Sequence, residues 1–234
     1  MNLLMTLLFG LTILIGTIII LISKNNKKIN EFSISISFSV LIFLIFLEII
    51  PETLEFLKYK EVLFFTLIGL LLLKILDLFI PDHDHTEKKS HVFHIGIMAC
   101  IALILHNLIE GMALYTSLSS GVGILLGIGV GLHNIPMGMV IGSTLKEANC
   151  SNFKVIMISL GISLATFIGG FMVYLIGDIS NYVLGIMLAI TLGMLLYIVF
   201  FELLEHLHHQ DKKNNVKGFI IGAIIFILSM ILGH

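Results

Sequence analysis

The chain has 234 residues, 58% of them hydrophobic and only 12% charged, with a formal net charge of −2 at pH 7 and a mean hydropathy of +1.09. A soluble domain of this length needs far more polar surface to cover its core, so the composition excludes a soluble globular protein. The two cysteines, Cys100 and Cys150, are too few for a disulfide framework and have no metal-binding spacing.

Repeated apolar runs predict eight membrane-spanning helices, each close to the ~20 residues that a bilayer requires. The first run lacks the basic segment and the small-residue cleavage site of a signal peptide, so we expect it to remain as a span. The predicted spans are residues 2–23, 34–56, 62–80, 93–117, 121–146, 154–177, 181–204 and 216–233. Because the polar connections are too short for a further domain, residues 1–234 are expected to form a single all-α transmembrane domain.

The distribution of lysine predicts the orientation in the membrane, since the chain has no arginine. The connections after the first, third, fifth and seventh spans carry Lys24, Lys27, Lys28, Lys88, Lys89, Lys146, Lys154, Lys212, Lys213 and Lys217. The opposite side carries only Lys58 and Lys60. Short lysine-rich connections stay in the cytoplasm, so both termini are expected outside.

Two acidic segments of similar sequence run in opposite directions through this topology. The segment "FLEIIPETLEF" ends the second span and places Glu48 and Glu52 toward the outside. The segment "FFELLEHLHH" ends the seventh span and places Glu202 and Glu205 toward the cytoplasm. This suggests an inverted repeat of the first three and last three spans, a common plan in transporters. The glutamates could attract a cation outside and receive it inside, or they could be ordinary interfacial charges.

The fourth and fifth spans each carry a histidine in the middle of an apolar run. In "HNLIEG", His106 and Glu110 are four residues apart and therefore face the same side of a helix. In "HNIPMG", His133 and Met137 have the same spacing. Because a tight turn at 118–121 makes the two helices antiparallel neighbours, we expect the four side chains to converge near mid-membrane. Two imidazoles and a carboxylate are a normal ligand set for a divalent transition metal.

Neighbouring residues strengthen this interpretation. Asn107 and Asn134 follow the two histidines and are candidates for weak ligands or for hydrogen-bond partners of the ligands. Pro136 removes one backbone hydrogen bond and frees the carbonyl of Leu132. Such breaks are tolerated in spanning helices where protein or water satisfies the backbone. A single histidine in a membrane helix is often only hydrogen-bonded to its neighbour, but two His-Asn pairs with a glutamate and a proline favour a metal site.

These motifs resemble those of the ZIP family of divalent-metal transporters. That family has an "HNxPEG"-like motif in its fourth span and an "HxIPEG"-like motif in its fifth, matched here by "HNLIEG" and "HNIPMG". The eight spans, the outside termini, the histidine-bearing connection after the third span and the segment "FLEIIPE" are also similar. The resemblance implies a 3+2+3 helix arrangement, with the fourth and fifth spans lining the metal path.

Three positions depart from the family pattern. The proline of the first motif is Ile109, the glutamate of the second is Met137, and a glutamate usual in the sixth span is replaced by Thr166. The resemblance implies that the last two glutamates help to hold a second ion, so we expect a single metal site. With Glu110 as the one carboxylate, a divalent ion keeps a charge of about +1, which is unfavourable near mid-membrane unless it is hydrated or paired.

Two histidine-rich connections lie on the predicted cytoplasmic side. The first carries His83, His85 and His91, together with Asp82 and Asp84. The second carries His206, His208 and His209. These side chains could capture metal after release or sense its level, and the alternative is a solvated polar connection.

The sequence therefore predicts a plasma-membrane transporter that moves Zn²⁺ or Fe²⁺ into the cytoplasm, with Mn²⁺ and Cd²⁺ as further candidates. We expect no ATP, no prosthetic cofactor, no enzymatic activity and no nucleic acid, with the metal ion and the bilayer as partners and a homodimer left open. One alternative is a metal-binding sensor or regulator that does not transport. Others are an intramembrane zinc hydrolase, disfavoured because there is no HExxH segment, and a b-type haem protein with His106 and His133 as axial ligands.

Overall fold

A computed structural model of the chain describes residues 1–23, 26–79, 88–119, 121, 123–177, 179–208 and 212–233, without the side chains of residues 27 and 88–92. The described residues contain eight helices long and apolar enough to cross a membrane. We number them α1 (Asn2–Ile22), α2 (Lys28–Phe56), α3 (Tyr59–Phe79), α4 (Phe93–Ser119), α5 (Gly123–Glu147), α6 (Asn152–Ile176), α7 (Asn181–His208) and α8 (Lys212–Gly233). These helices confirm the predicted all-α membrane fold.

Polar residues at several helix starts explain why the helices are longer than the apolar runs. The helical backbone that leads into α2 begins at Lys27, well before the predicted residue 34, and the Asn26 side chain accepts a hydrogen bond from the Lys28 backbone N–H at 3.0 Å. Ser151 and Ser180 cap α6 and α7 in the same way. A capped polar turn can precede the membrane-embedded part of a helix, and hydropathy alone does not detect it.

The helix pairing agrees with the predicted inverted repeat. The most extensive contacts join α1 to α5, α4 to α6, α3 to α7 and α2 to α8. Exchanging the first three helices with the last three, and α4 with α5, converts the α1–α5 pair into the α6–α4 pair. The same exchange converts α3–α7 into α8–α2. The motif helices α4 and α5 exchange with each other in this repeat, and each contacts helices from both the first three and the last three spans.

Two π-helical turns occupy equivalent places in this repeat. The turn Ile45–Ile49 interrupts α2 and contains Glu48, and the turn Ile198–Leu203 interrupts α7 and contains Glu202. A π-turn adds one residue to the helical repeat and often marks a functional position. Both glutamates therefore lie on irregular backbone, toward opposite ends of the helix bundle.

The glycines of the two motifs bring their helices into close contact with neighbours. A Cβ atom on Gly111 would fall onto the carbonyl of Thr166 in α6, and a Cβ atom on Gly138 would fall onto the carbonyl of Ile13 in α1. Backbones can approach this closely only where a side chain is missing. These contacts fix α4 against α6 and α5 against α1, and so fix the motif side chains.

Candidate metal centre

The side chains of His106, Glu110 and His133 lie together where α4 packs against α5. One ligand atom of each lies within 4.8 Å of the others, and both histidines are buried. The ring centroids of the two histidines are 6.3 Å apart, with the glutamate between them. The structure thus brings together three of the residues that the sequence spacing predicted to converge.

Glu110 is held by α5 through both of its oxygen atoms. Its Oε1 lies 2.6 Å from His133 Nε2, and its Oε2 accepts a hydrogen bond from Asn134 Nδ2 at 3.3 Å. His106 Nε2 lies 3.7 Å from Glu110 Oε1 and is a buried nitrogen with no hydrogen-bond partner among the described residues. Burying a polar atom without a hydrogen-bond partner is energetically unfavourable, so this nitrogen is suited to coordinate a metal ion.

The distances can be compared with those of a metal site. Ligand atoms about 2.1 Å from a tetrahedral ion lie about 3.4 Å apart. The separation of 3.7 Å between His106 Nε2 and Glu110 Oε1 is already close to this value. The 2.6 Å contact between His133 and Glu110 is a direct hydrogen-bonding distance. It must lengthen by about 0.8 Å to reach the separation of two metal ligands.

The asparagine and threonine beside the group form a separate buried network. Asn107 donates from Nδ2 to the Leu103 carbonyl at 2.7 Å and accepts at Oδ1 from the Thr166 hydroxyl at 3.2 Å. Thr166, which stands where a glutamate is usual in the family pattern, therefore orients the Asn107 side chain. Asn134 contacts Glu110 directly, so it fits a partner of the ligand. The ligand roles of the two asparagines stay predictions.

Met137 and Pro136 lie one turn farther along α5. Met137 is fully buried and belongs to the apolar core. Two cavities, described below, adjoin the His106–Glu110–His133 group, and Met137 lines neither of them. The carbonyl of Pro136 accepts a hydrogen bond from the Ser37 hydroxyl at 2.6 Å, which joins α2 to α5. The helix continues through Pro136 without a break. A thioether ligand at position 137 stays a prediction.

A cavity of about 130 Å³ adjoins the group. Glu48, Glu52, His106 and Glu110 line it, together with residues from the ends of α4 and α5 nearest the turn that joins them, including Ala113, Ser117 and Leu126. A smaller cavity beside it is lined by both Glu48 and His133. We call this side of the molecule the outer side, following the orientation predicted from lysine. The two glutamates predicted at the outer mouth therefore share a cavity with His106 and Glu110.

A second cluster of ligand-type side chains lies on the inner side of the His106–Glu110–His133 group, away from the outer cavity. Asp77, His94 and Glu202 place one ligand atom each within 4.8 Å of the others. His94 Nε2 lies 2.8 Å from Asp77 Oδ1, and the Tyr197 hydroxyl donates to Asp77 Oδ2 at 2.7 Å. His94 lies twelve residues before His106 on α4, which is about 18 Å along a helix.

Glu202 was predicted from the sequence as a possible exit residue, but its partners Asp77 and His94 were not. Asp77, His94 and Glu202 come from three different helices and share no local spacing, so no sequence pattern links them. Glu205 is exposed and lies outside the group. Nearby, His206 Nε2 lies 3.6 Å from Glu147 at the end of α5. His83, His85 and His209, and the side chain of His91, lie outside the described residues.

Comparisons with known proteins identify the family to which this chain belongs. The sequence model of the family described as "ZIP Zinc transporter" matches residues 81–230. The chain is 28% identical to the protein named "Zinc transporter ZupT" of Streptococcus mutans serotype c, covering 97% of this chain and 96% of the relative. It is 25% identical to the protein of the same name from Chlorobium chlorochromatii, again covering 97% and 96%. The match extends over most of the chain and includes both histidine motifs. The chain therefore belongs to the ZIP family of zinc transporters.

Proposed function

We propose that this chain carries a divalent transition metal, Zn²⁺ first and Fe²⁺ next, across the plasma membrane into the cytoplasm through the His106–Glu110–His133 group. Membership of the ZIP family makes it a multi-pass membrane protein of divalent-metal transport and not an enzyme. The two relatives are both named as zinc transporters, which favours Zn²⁺. The observation that carries the proposal is the convergence of three ligand atoms within 4.8 Å, one of them the buried His106 nitrogen, which has no hydrogen bond to any described residue.

The ligand types favour borderline transition metals over hard cations. Imidazole suits Zn²⁺ and Fe²⁺, whereas Mg²⁺ and Ca²⁺ prefer a shell made only of oxygen. Cd²⁺ and Mn²⁺ are expected to compete for the same nitrogen and oxygen atoms. Three protein ligands leave at least one position for water or a further group, and this suits an ion that must also leave.

The residues on each side of the group suggest a path. An ion would reach the group through the outer cavity beside Glu48 and Glu52, and it would leave past Asp77, His94 and Glu202. Between the two groups, α4 contributes Met98, Ala99, Ala102 and Leu103 to the apolar core, all of them buried. This packing closes the inner half, so transport requires it to open while the outer cavity closes.

The haem alternative conflicts with the space at the site. Glu110 Oε1 lies within 3.7 Å of both histidine Nε2 atoms, so a carboxylate occupies the place where the iron would be. The cavity of about 130 Å³ is also smaller than the ~300–1,000 Å³ typical of organic ligand pockets. A sensor without transport uses the same group, and only a flux measurement separates it from a transporter.

The test is metal uptake into proteoliposomes that contain the purified protein. Zn²⁺, Fe²⁺, Mn²⁺ and Cd²⁺ are compared, with Glu110→Ala as the site variant and Glu205→Ala as the control, since Glu205 is an exposed glutamate outside the group. We expect saturable Zn²⁺ uptake that is lost in Glu110→Ala and retained in Glu205→Ala. Normal uptake by Glu110→Ala contradicts the site, and binding without uptake in the unaltered chain supports the sensor.

A further inference from the structure

The three ligands of the proposed site do not by themselves neutralise a divalent ion. Glu110 is the one carboxylate of the group, and positions 137 and 166 hold methionine and threonine. A divalent ion with one carboxylate keeps a charge of about +1, which is unfavourable far from bulk water. A further negative charge close to the group would remove this cost.

The walls of the two cavities identify where such a charge lies. Three residues line both cavities, and Glu48 is the one among them that carries a charge, the others being Leu126 and Val130. Through one cavity Glu48 adjoins His106 and Glu110, and through the other it adjoins His133. Glu48 is half-buried, so its carboxylate is only partly screened by solvent.

We infer that Glu48 supplies the second negative charge that balances the ion held by His106, Glu110 and His133. It thereby takes the part that a glutamate at position 137 would otherwise play, so the charge comes from α2 and not from α5. This inference rests on the proposed function. A second, independent observation points to a ligand here, because His106 lines the same cavity as Glu48 and its buried Nε2 has no hydrogen-bond partner within the part of the chain that the structure describes.

The inverted repeat supports this assignment. Glu202 is the counterpart of Glu48 on the π-turn of α7, and it already lies within 4.8 Å of ligand atoms of Asp77 and His94. Each π-turn thus directs a glutamate toward a group that contains histidine. Inward of Glu48, the hydrogen bond from the Ser37 hydroxyl to the Pro136 carbonyl holds α2 against the motif helix, so it helps to fix the position of Glu48 relative to His133.

The test exchanges the charge between the two positions. Zn²⁺ affinity and uptake are measured for Glu48→Gln, Met137→Glu and the double variant Glu48→Gln/Met137→Glu. Glu52→Gln serves as a matched control, since Glu52 lines only the larger of the two cavities. We expect Glu48→Gln to weaken Zn²⁺ binding by about tenfold or more, the scale of losing one buried charge partner. The double variant is expected to recover most of that loss, and Glu52→Gln to have a smaller effect.

The outcomes separate this inference from the proposed function. If Glu110→Ala loses Zn²⁺ binding while Glu48→Gln keeps the affinity of the unaltered chain, the function stands and the inference is wrong. Loss in Glu48→Gln that Met137→Glu does not recover also contradicts it, because a purely structural role of Glu48 would not respond to a charge on α5. If Glu110→Ala binds and transports normally, the proposed function itself fails. Recovery in the double variant further shows that the protein is folded.

Discussion

The two π-turns of this protein have similar sequences but different surroundings. On the outer side, Glu48 lines a cavity of about 130 Å³ that also contains His106 and Glu110. On the inner side, Glu202 is 6% exposed and lies in a group with Asp77 and His94. Buried apolar side chains of α4 separate that inner group from the motif histidines. The two turns therefore differ in one respect: the outer glutamate borders a cavity shared with the motif histidine, whereas packed apolar side chains separate the inner glutamate from that histidine.

Filling the outer cavity should have the largest effect on transport. Ala113 lines that cavity and is half-buried, so the ring of Ala113→Phe would occupy much of its 130 Å³ without entering the apolar core. We expect uptake to fall by about a hundredfold or more, since blocking access removes the path and not one contact. Ala113→Ser is the control that keeps the space open. Full uptake by the phenylalanine variant would show that the ion does not pass through this cavity.

Adding a methyl group at a motif glycine should disrupt the framework that holds the site. Gly111→Ala in α4 places a Cβ atom on the Thr166 carbonyl of α6. The Cβ atom of Gly161→Ala, which lies in α6 itself, meets nothing within 4 Å among the described residues. We expect Gly111→Ala to destabilise the protein by about 1–3 kcal/mol, the usual range for overpacking. Thermal unfolding in detergent measures this, with Gly161→Ala as the control. Equal melting temperatures for the two variants would mean that α4 and α6 have room for a methyl group at Gly111.

Thiol labelling should report the difference between the two halves directly. In a background with Cys100→Ala and Cys150→Ala, the outer Ala113→Cys is compared with Ala102→Cys, which replaces a fully buried residue on the inner side. A water-soluble maleimide is expected to label the first at least about ten times faster, because reaction requires access of the reagent. Equal rates would contradict a closed inner half.

Acidification should weaken metal binding, since His106 and His133 must be neutral to coordinate an ion. Protonation competes with the metal, so the affinity is high at neutral to basic pH and is lost as the pH falls. Zn²⁺ affinity is therefore expected to decrease severalfold or more between about pH 8 and about pH 5.5, where histidine ordinarily titrates. A competition titration with a fluorescent chelator measures it. An affinity that does not change over this interval would exclude histidine ligands.

The smallest effect is expected from the network behind the site. Thr166→Val removes the hydroxyl that donates to Asn107 at 3.2 Å. Such interhelical hydrogen bonds contribute about 0.6 kcal/mol in membrane proteins, which corresponds to a two- to threefold change in Zn²⁺ affinity. Thr116→Val is the matched control, since that hydroxyl donates to a carbonyl of its own helix and lies on an exposed residue. A tenfold loss in Thr166→Val would instead place Thr166 in contact with the ion.

The sequence carried more information about the central group than about its surroundings. His106 and Glu110 are four residues apart, and a short turn places His133 beside them, so local spacing was enough to predict that they converge. Asp77, His94 and Glu202 meet only through the packing of α3, α4 and α7, which no local pattern encodes. The π-turns were also not predictable, because one extra residue in a helical repeat leaves the apolar pattern of a span almost unchanged. Glu48 was predicted at the outer mouth, but its place beside both histidines depends on that turn.

The central claim is that the ion binds between His106, Glu110 and His133, and X-ray absorption at the zinc edge tests it most directly. The purified protein would be loaded with one equivalent of Zn²⁺ and compared with His106→Ala and His133→Ala. We predict scattering from two imidazole rings, reduced to one ring or lost with the bound zinc in each variant. The inner group offers only one histidine. A signal from a single imidazole that neither variant changes would place the ion elsewhere and contradict the account.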